Sequence, residues 1–432
     1  MRFNSETKFF LYAFLTEISY LLFYPIRFLA VKLGVENLYL KDNLIFLLTI
    51  INILLLTFFY IKTFGLILKK TAFKTIFLTS LIFNISLLFL WNFSTDDLYT
   101  YIGRSRMISF YGANPYINRF DEFSGDVLYP LVKTYWSSEL SVHGPMFSLF
   151  GSVLSGIAGE NLVANVFTFK IAFVILNILS GVLVYKIRNN IQAYFLYAWN
   201  PLILFEIALN AHQDVLAIFF IALSIFFLAG MADWKKYVLS LMFFTCAVLV
   251  KYYIVVIGPF LAAFAFRNLS SLTDRLKFLV GSAVGTFLAA VLALYRFWVG
   301  PEIFDKLFAV AGARLLGPSP GILILEKFLN FAVGGDNYWL SRNINRAIFY
   351  LIYLVLAIRT LLGSEFKLSN VAFFAVVSLA VLVLTSLSLV NPWYLTLLIA
   401  LICLGLGLTK KIRPEYVFWS TIYGFATYVI MR

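Results

Sequence analysis

The sequence has little charge and few of the residues that build metal or redox centres. Only 13% of its 432 residues are charged, and it contains two histidines and two cysteines. Cys246 and Cys403 both lie within apolar segments, so neither a structural disulfide nor a cysteine-based metal cluster is expected. In contrast, 62% of the residues are hydrophobic and 19% are aromatic, which is more than a water-soluble core can bury. The composition therefore predicts a polytopic membrane protein.

The apolar stretches are repeatedly about as long as the roughly 20 residues that cross a bilayer as a helix, and they lack the period-two alternation of a barrel. We expect an all-α fold, a polytopic membrane protein with about 12–13 transmembrane helices in a single domain over residues 1–432, some short or broken. The candidate spans are about 8–33, 44–68, 73–91, 162–185, 192–209, 215–231, 237–266 in two arms, 278–299, 345–362, 370–389, 393–408 and 416–431. The first stretch lacks a small-residue cleavage site and is predicted to be a retained helix.

Basic residues in the short connections predict the orientation of the spans. Lys69, Lys70 and Lys74 follow the second span and should be cytoplasmic, which places the N-terminus in the cytoplasm. The apolar piece 145–157 is too short to cross the membrane and is interpreted as re-entrant. The basic residues behind the net charge of +13 are then explained by the orientation of the spans in the membrane. The charge therefore does not imply a nucleic-acid partner. On this assignment, one external face receives Asp96, Asp97, His143, His212, Asp214, Lys251 and Asn391.

Two external segments, 92–144 and 300–343, carry enough polar residues for structure outside the lipid. Their aromatic residues are interleaved with charged ones, which predicts interfacial helices that roof a cavity.

The first of these loops begins near two adjacent carboxylates, Asp96 and Asp97. An ionised Asp is costly within the hydrocarbon, but at the interface it can act as a base or hold a sugar hydroxyl or a divalent cation such as Mg²⁺ or Mn²⁺. On a short helix that starts at this pair, Asp97, Tyr101 and Arg104 share a face at spacings of four and three residues. They are predicted to point into one cavity. The alternative is a salt bridge between Asp97 and Arg104 that only holds the loop.

A second group of polar residues follows Asn200-Pro201. Glu206, Asn210 and Asp214 recur every four residues, so on one helix they would line a single face. A polar stripe in an apolar segment predicts a functional site, and the alternative is a hydrogen-bond network between helices.

Lys251 is flanked by apolar residues and followed by Pro259, which predicts a broken helix. A buried lysine needs an anion. The anion is either Asp214 or Glu206 as a structural partner or a lipid phosphate as a ligand.

His143 and Trp393 each have a simpler explanation when taken alone. His143 precedes Gly144-Pro145 at the start of a helix, where a cap or a satisfied polar residue is the common case. Trp393 is at minimum an aromatic interface anchor, and stacking on substrate is the alternative.

Together these segments resemble the GT-C superfamily of integral-membrane glycosyltransferases, in particular bacterial and archaeal mannosyltransferases that use polyprenyl-phosphate-mannose. The resemblance covers most of the chain from about residue 90 onward. It rests on the order of Asp96-Asp97, Gly103-Arg104, Gly112-Ala113-Asn114-Pro115-Tyr116, Gly144-Pro145, Asn200-Pro201-Leu202, His212-x-Asp214, Lys251 and Pro392-Trp393-Tyr394. One departure is that the family's histidine usually follows Gly and precedes Asn-Asp, whereas Ala211 and Gln213 flank His212.

The resemblance implies an inverting transfer of a sugar, with mannose favoured, from a polyprenyl-phosphate donor to a hydroxyl of a glycan or glycolipid on the external face. Asp97 would take the proton of the acceptor hydroxyl, while Asp96 would position the acceptor or help to hold a divalent cation. The residues implied for the donor phosphate are Arg104, Lys251 and Arg106. The residues implied for the sugar or the acceptor are Tyr101, Asn114, His143, Glu206, Asn210, His212, Asp214 and Trp393.

The main alternative is a secondary transporter or a lipid flippase, which would also use broken helices and intramembrane charges. Against this alternative, the polar residues collect on one predicted face instead of forming a path through the midplane, and no inverted repeat is visible.

Overall fold

Helices make up the regular structure, as the composition predicts. The computed structural model of the protein describes residues 4–34, 42–67, 71–92, 95–132, 134–305, 319–363, 366–387 and 390–430, and these ranges contain no β-strand. The helices are α1 (Ser5–Leu21), α2 (Phe23–Lys32), α3 (Asn43–Phe64), α4 (Phe73–Leu88), α5 (Asp97–Ser109), α6 (Thr134–Ser137), α7 (Pro145–Ala158), α8 (Leu162–Arg188), α9 (Ile191–Ala198), α10 (Pro201–Ile203), α11 (Asp214–Leu228), α12 (Trp234–Val248), α13 (Gly258–Asn268), α14 (Leu272–Leu294), α15 (Pro320–Val333), α16 (Tyr338–Leu362), α17 (Leu368–Thr385), α18 (Tyr394–Leu406) and α19 (Pro414–Ile430). Short 3₁₀ turns occur at Phe120–Phe123, Tyr129–Leu131, Tyr252–Ile257 and Tyr295–Phe297, and a π-helix occurs at Leu204–Leu209.

Six helical stretches among the described residues are long and apolar enough to cross a membrane. They are Ser5–Lys32, Asn43–Phe64, Leu162–Ile187, Leu272–Phe297, Tyr338–Leu362 and Leu368–Thr385. Shorter apolar helices occur at Phe73–Leu88, Pro145–Ala158, Asp214–Leu228, Tyr252–Asn268 and Tyr394–Leu406. Long spans alternating with short or broken ones confirm the predicted fold class of an integral membrane protein.

Several long helices begin at a polar side chain that accepts a hydrogen bond from the first turn. At the start of α3, the backbone N of Ile45 donates to the side chain of Asp42 (2.9 Å). In the same way, Ala164 N donates to Asn161 at the start of α8 (2.9 Å), and Asp274 N donates to Ser271 at the start of α14 (3.0 Å). Each cap satisfies an amide that has no partner within its own helix, so the polar residue between two apolar runs determines where the second run starts.

Two of the apolar runs are interrupted, one at Lys251 as the sequence predicts and one at Asn200, inside the predicted span 192–209. After α9, the side chain of Asn200 accepts hydrogen bonds from the backbone N of Leu202 (3.0 Å) and Ile203 (3.2 Å), which starts a new helical segment at Pro201. The run 237–266 breaks at Lys251, where α12 gives way to the 3₁₀ turn and then to α13. The break at Asn200 lies among buried residues, as the surroundings of a membrane require, whereas the 3₁₀ turn after Lys251 is partly exposed, with Val255 at 55%.

The 14-residue helix α7 packs against α5 and α8. It starts directly after His143 and leads into α8, whose Lys170 donates hydrogen bonds to the carbonyl oxygens of Leu87 (3.2 Å) and Leu209 (3.0 Å). Those carbonyls belong to the ends of α4 and of the π-helix, the elements that precede Asp97 and His212. The start of α8 thus lies near the two elements that lead to Asp97 and His212, and the re-entrant position of α7 stays a prediction.

Gly144 allows α7 to start against the break after α12. A Cβ at this position would overlap the backbone carbonyl oxygen of Leu249, which also accepts a hydrogen bond from the backbone N of Met146 at 3.2 Å. Only glycine, which has no Cβ, allows two backbones to approach this closely without a shift.

The predicted external segment 300–343 contains α15, whose Phe328, Phe331 and Val333 are exposed. Its residues 306–318 lie outside the described ranges, as do Lys69 and Lys70 of the predicted cytoplasmic link.

Candidate active site

Asp97 is the first residue of α5, so the predicted helix begins at the acidic pair. Asp96 occupies the N-cap position, and its backbone carbonyl accepts hydrogen bonds from the N of Tyr99 (3.0 Å) and Thr100 (3.3 Å). A carboxylate in the first turn of a helix is stabilised by the positive end of the helix dipole. The side chain of Asp97 is 24% exposed. The helix therefore presents a carboxylate that a substrate can reach.

Asp97, Tyr101 and Arg104 lie within roughly 60° of arc on α5, as expected from 3.6 residues per turn. Tyr101 and Arg104 are buried. The hydroxyl of Tyr101 lies 3.5 Å from Asp97 Oδ2.

Arg106 lies on the opposite side of α5. Nine residues after Asp97, it is rotated by roughly 180°. Its Nε donates to both carboxylate oxygens of Asp126 (2.8 and 3.1 Å), and its Nη1 donates to the carbonyl of Gly159 (3.1 Å). Its charge is paired on the face away from Asp97, so the geometry does not support the phosphate-binding role of Arg106, which stays a prediction.

Arg104 holds the loop that follows α6. Its Nη2 donates to the carbonyl oxygens of Trp136 (3.4 Å), Glu139 (3.4 Å) and Leu140 (3.2 Å). Burial lowers the pKa of Arg104 to about 10, so the guanidinium remains charged at neutral pH. Its Nη1 is buried and makes no hydrogen bond with the described residues.

The π-helix and the residue Ala211 place His212 in contact with Glu206. The backbone N of His212 donates to the carbonyl oxygen of Glu206 (3.0 Å), and His212 Nε2 lies 3.1 Å from Glu206 Oε2. Ala211 adopts a left-handed φ of 58°, which reverses the chain between the two residues. Residues six apart do not face each other on a regular α-helix, so the π-helix is what allows this pair.

This geometry corrects the predicted polar stripe on one helical face. The helix that carries Glu206 ends at Leu209, and α11 starts at Asp214, so Asn210 lies in the turn between them. Glu206 is fully buried behind His212 and accepts a hydrogen bond from Tyr428, and its predicted sugar-binding role stays a prediction. The side chain of Asn210 lies next to that of Glu206.

His212 connects the two predicted polar segments. Its Nδ1 lies 3.4 Å from the hydroxyl of Tyr101 and 3.7 Å from Asp97 Oδ2. The indole of Trp393 stacks on the imidazole with ring centroids 4.0 Å apart and planes 17° apart. Burial lowers the pKa of His212 to about 4, so the ring is neutral at physiological pH. The structure therefore brings together Asp97, Tyr101, His212 and Trp393 from three distant parts of the sequence.

Lys251 pairs with Asp214 beside this cluster. Its Nζ lies 3.4 Å from Asp214 Oδ1 and 4.8 Å from the ring centroid of Tyr394. Of the anions expected for a buried lysine, the structure supplies Asp214 at the start of α11. The Lys251 side chain is 13% exposed, so its ammonium lies at the edge of the protein interior.

His143 packs against the same tyrosine. Its ring meets the ring of Tyr101 edge to face at 5.0 Å, and its Nδ1 lies 2.7 Å from Gln213 Nε2. Burial lowers the pKa of His143, and the positive charges of Arg104 and Lys251 lower it further. A neutral His143 thus accepts a hydrogen bond from Gln213 and supports Tyr101.

The structure does not assign Asn114 to the site. Its Nδ2 donates to the carbonyl oxygen of Phe297 (3.0 Å), and its Oδ1 accepts from the backbone N of Tyr116 (3.1 Å). Both contacts stabilise the turn after α5, and the predicted role of Asn114 in sugar or acceptor binding stays a prediction.

Three residues of the cluster are absent from the predicted set: Gln213, Tyr394 and Tyr428. Gln213 and Tyr394 directly follow predicted residues, so their positions could have indicated them. Tyr428 lies in a terminal apolar helix, and no local signal marks it.

No group of three or more His, Cys, Asp or Glu side chains that could hold a metal ion occurs in the described ranges. Two adjacent carboxylates supply only part of a divalent cation's shell. We therefore assign no chemical step to a cation.

Comparison with known proteins agrees with this geometry. A family model described as alpha-(1->6)-mannopyranosyltransferase, N-terminal domain, matches residues 33–267, which is more than half of the chain. The matched region contains Asp97, Tyr101, His212 and Lys251, whereas Trp393 follows it. No curated protein matches the chain. The match confirms the predicted resemblance to membrane-embedded mannosyltransferases and fits the GT-C type.

Proposed function

We propose, from the premise that this chain belongs to the alpha-(1->6)-mannopyranosyltransferase family, that it transfers mannose from a polyprenyl-phosphate donor to a hydroxyl of a glycan or glycolipid. The family and the apolar helices establish a membrane-embedded mannosyltransferase class. A donor with a lipid tail gives a physical reason for such an enzyme to be embedded, because the tail can lie between apolar helices while the sugar reaches the polar end of the bundle.

The observation that carries the proposed mechanism is the position of Asp97. Its carboxylate is partly exposed, whereas the side chains of Tyr101 and His212 that contact it are buried. A substrate hydroxyl therefore meets the carboxylate first. A carboxylate held in this way suits a general base, which must lie within hydrogen-bond reach of the proton that it removes.

In the proposed step, the acceptor oxygen attacks the anomeric carbon while its proton moves to the Asp97 carboxylate. The bond between that carbon and the phosphate oxygen breaks, and its electron pair leaves with the lipid phosphate. A single displacement inverts the configuration at the anomeric carbon. The leaving phosphate needs positive charge rather than a proton donor, and Lys251 and Arg104 supply the nearby cations. Asp96 at the N-cap would position the acceptor.

The proposed site faces the non-cytoplasmic side, as the basic residues of the connections predict. Its residues gather at one end of the bundle, which supports an enzyme that acts at one membrane face over a transporter that needs a path through the midplane.

The test is transfer from radiolabelled polyprenyl-phosphate-mannose to oligosaccharide or lipid acceptors by the purified, lipid-reconstituted protein. We expect Asp97→Asn to lower the turnover by about 10²–10⁴-fold, the usual contribution of a general base, without loss of folded protein. Donor binding should persist, because Asp97 is not a phosphate ligand.

The matched control is Asp274→Asn, which makes the same chemical change at an exposed carboxylate 3.9 Å from Lys277. This variant should retain the wild-type rate. Near-normal turnover by Asp97→Asn would exclude Asp97 as the base, and a wild-type protein that moves no mannose would refute the proposed reaction.

A further inference from the structure

One buried lysine lies outside the cluster around Asp97 and takes no part in the proposed step. Lys170, in α8, is 1% exposed, and within the described ranges it forms no ion pair with a carboxylate. Its Nζ donates instead to three backbone carbonyl oxygens, those of Leu87 (3.2 Å), Leu209 (3.0 Å) and Leu90. Backbone carbonyls are among the partners that stabilise a lysine inside a membrane-spanning helix.

The three carbonyl oxygens match the three N–H donors of an ammonium group. Leu87 lies in the last turn of α4, and Leu209 is the last residue of the π-helix. The last carbonyl groups of a helix lack a partner within it and form the negative end of its dipole, so a cation is favoured there. Lys170 therefore binds the ends of two different elements at once, and its ammonium group is stabilised without a carboxylate.

The two ends that Lys170 joins lead directly to the candidate site. Asp97 follows Leu90 by seven residues, and His212 follows Leu209 by three. Asp97 Oδ2 lies 3.7 Å from His212 Nδ1 although the two side chains come from distant segments. Their separation therefore depends on how the two segments are placed relative to each other, and Lys170 contacts both segments.

A second side chain links the same two segments. The Nδ2 of Asn92, which is buried, donates to the carbonyl oxygens of Asn210 and Thr95, both at 3.4 Å. The hydroxyl oxygen of Thr95 in turn accepts a hydrogen bond from the backbone N of Asp97 at 3.3 Å. Two independent contacts thus hold the chain that precedes Asp97 against the chain that precedes His212.

We propose that Lys170 is a positioning residue of the active site: its ammonium group fixes the end of α4 against the end of the π-helix and thereby sets the separation of Asp97 from His212. Its burial excludes contact with a substrate, so its effect on the reaction passes through these two segments. The catalytic consequence rests on the proposed function, whereas the placement of His212 relative to Asp97 does not.

The first test is Lys170→Met, which retains an unbranched apolar side chain but removes the three N–H donors. We expect kcat to fall by about 10²-fold, the order of loss when a catalytic group is misplaced by about 1 Å. The KM for the polyprenyl-phosphate donor should change little, because Lys170 binds no substrate.

A milder variant, Asn92→Leu, removes the second link with a side chain of similar size and leaves Lys170 in place. We expect its kcat to fall by about tenfold, a loss that corresponds to a displacement below 1 Å. This variant decides the question if Lys170→Met yields no folded protein.

The second test reads the position of His212 and needs no activity. The chain has two histidines, so ¹⁵N-histidine labelling gives signals from two imidazole rings in spectra of the bilayer-reconstituted protein, and His143→Asn assigns them. The Nδ1 signal of His212 depends on the contacts with Tyr101 and Asp97. We expect this signal to shift in Lys170→Met and, by a smaller amount, in Asn92→Leu.

A matched control is Arg267→Met. Arg267 also donates to carbonyl oxygens at a helix end, those of Thr360 (2.6 Å) and Gly363, but these belong to the end of α16, which leads to α17. The control should lower the free energy of unfolding while the kcat of the folded protein and the His212 signals stay as in the wild type.

Wild-type kcat and unchanged His212 signals in Lys170→Met would overturn the proposal, as would the same result in Asn92→Leu if Lys170→Met does not fold. An equal loss of kcat in Arg267→Met would also overturn it, because the loss would then follow from general destabilisation. Failure of the mannosyl donor in the transfer assay would instead reject the proposed function, and the His212 spectra would still decide the role of Lys170.

Discussion

Removal of the Lys251 charge tests the ion pair beside the active site. The Lys251 side chain is 13% exposed and that of Asp214 is 1% exposed, with 3.4 Å between Nζ and Oδ1. Lys251→Met retains most of the stem but leaves the Asp214 carboxylate buried without its cation. We expect this variant to be less stable than the wild type.

The size of the effect follows from the environment of Asp214. Breaking a buried ion pair by removing one partner typically costs about 3–5 kcal/mol. Asp214 is the first residue of α11, and the positive end of the helix dipole offsets about 0.3–1 kcal/mol of this cost. We therefore expect Lys251→Met to lower the free energy of unfolding by about 3 kcal/mol.

The assay is denaturant unfolding in detergent micelles of the wild type, Lys251→Met, Asp214→Asn and the double variant. The double variant leaves no buried charge unpaired, so we expect it to recover more than half of the stability that Lys251→Met loses. A Lys251→Met protein as stable as the wild type would refute this reasoning.

The double variant also separates the two roles of Lys251. Once folding is restored, a raised KM for the lipid-phosphate donor is the expected result if Lys251 also binds the phosphate. An unchanged KM would limit Lys251 to its structural pairing with Asp214.

Two further substitutions test the surroundings of the site. Arg106→Met should lower the free energy of unfolding by about 3–5 kcal/mol because Asp126 loses its partner, and the donor KM of the folded fraction should not change; a raised KM would restore Arg106 to the phosphate site. Gly144→Ala should cost about 1–3 kcal/mol through overlap with the Leu249 carbonyl, seen as a lower melting temperature, and an unchanged melting temperature would contradict the close approach of the two backbones.

Helical spacing predicted part of the site from the sequence. The intervals between Asp97, Tyr101 and Arg104 placed these residues on one face of α5, and the structure has them there. The same arithmetic excludes Arg106, since nine residues correspond to half a turn beyond two full turns. The phosphate-binding prediction for Arg106 came from counting charges in a segment without assigning each one to a helix face.

The second polar segment was harder to predict because its backbone is irregular. A four-residue repeat from Glu206 onward assumes an α-helix, but a π-helix and a left-handed residue replace it. Ala211 bears a cost of about 1 kcal/mol at this φ, which a glycine would avoid. In the family that the sequence resembles, glycine usually precedes this histidine. That glycine indicates a left-handed turn, which helical periodicity does not reveal.

The contact between Glu206 and Tyr428 joins residues 222 positions apart. The chain has 25 tyrosines, and nothing in the neighbourhood of Tyr428 distinguishes it from those in other spans. Such long-range pairs depend on how the helices pack, so periodicity and composition do not reveal them.

The segment that the family model recognises ends at residue 267, yet its histidine is covered by Trp393 and its buried glutamate is bonded by Tyr428. The part of the molecule that follows the matched segment thus supplies the ring that covers His212 and the hydroxyl that bonds Glu206, while Asp97, Tyr101 and His212 come from the matched segment. A chimera that joins the first half of this protein to the second half of a relative must therefore import an aromatic ring and a phenol at matching positions. Without them, the histidine of the chimera would lack its stacked ring, and the buried glutamate would lack its hydrogen-bond donor.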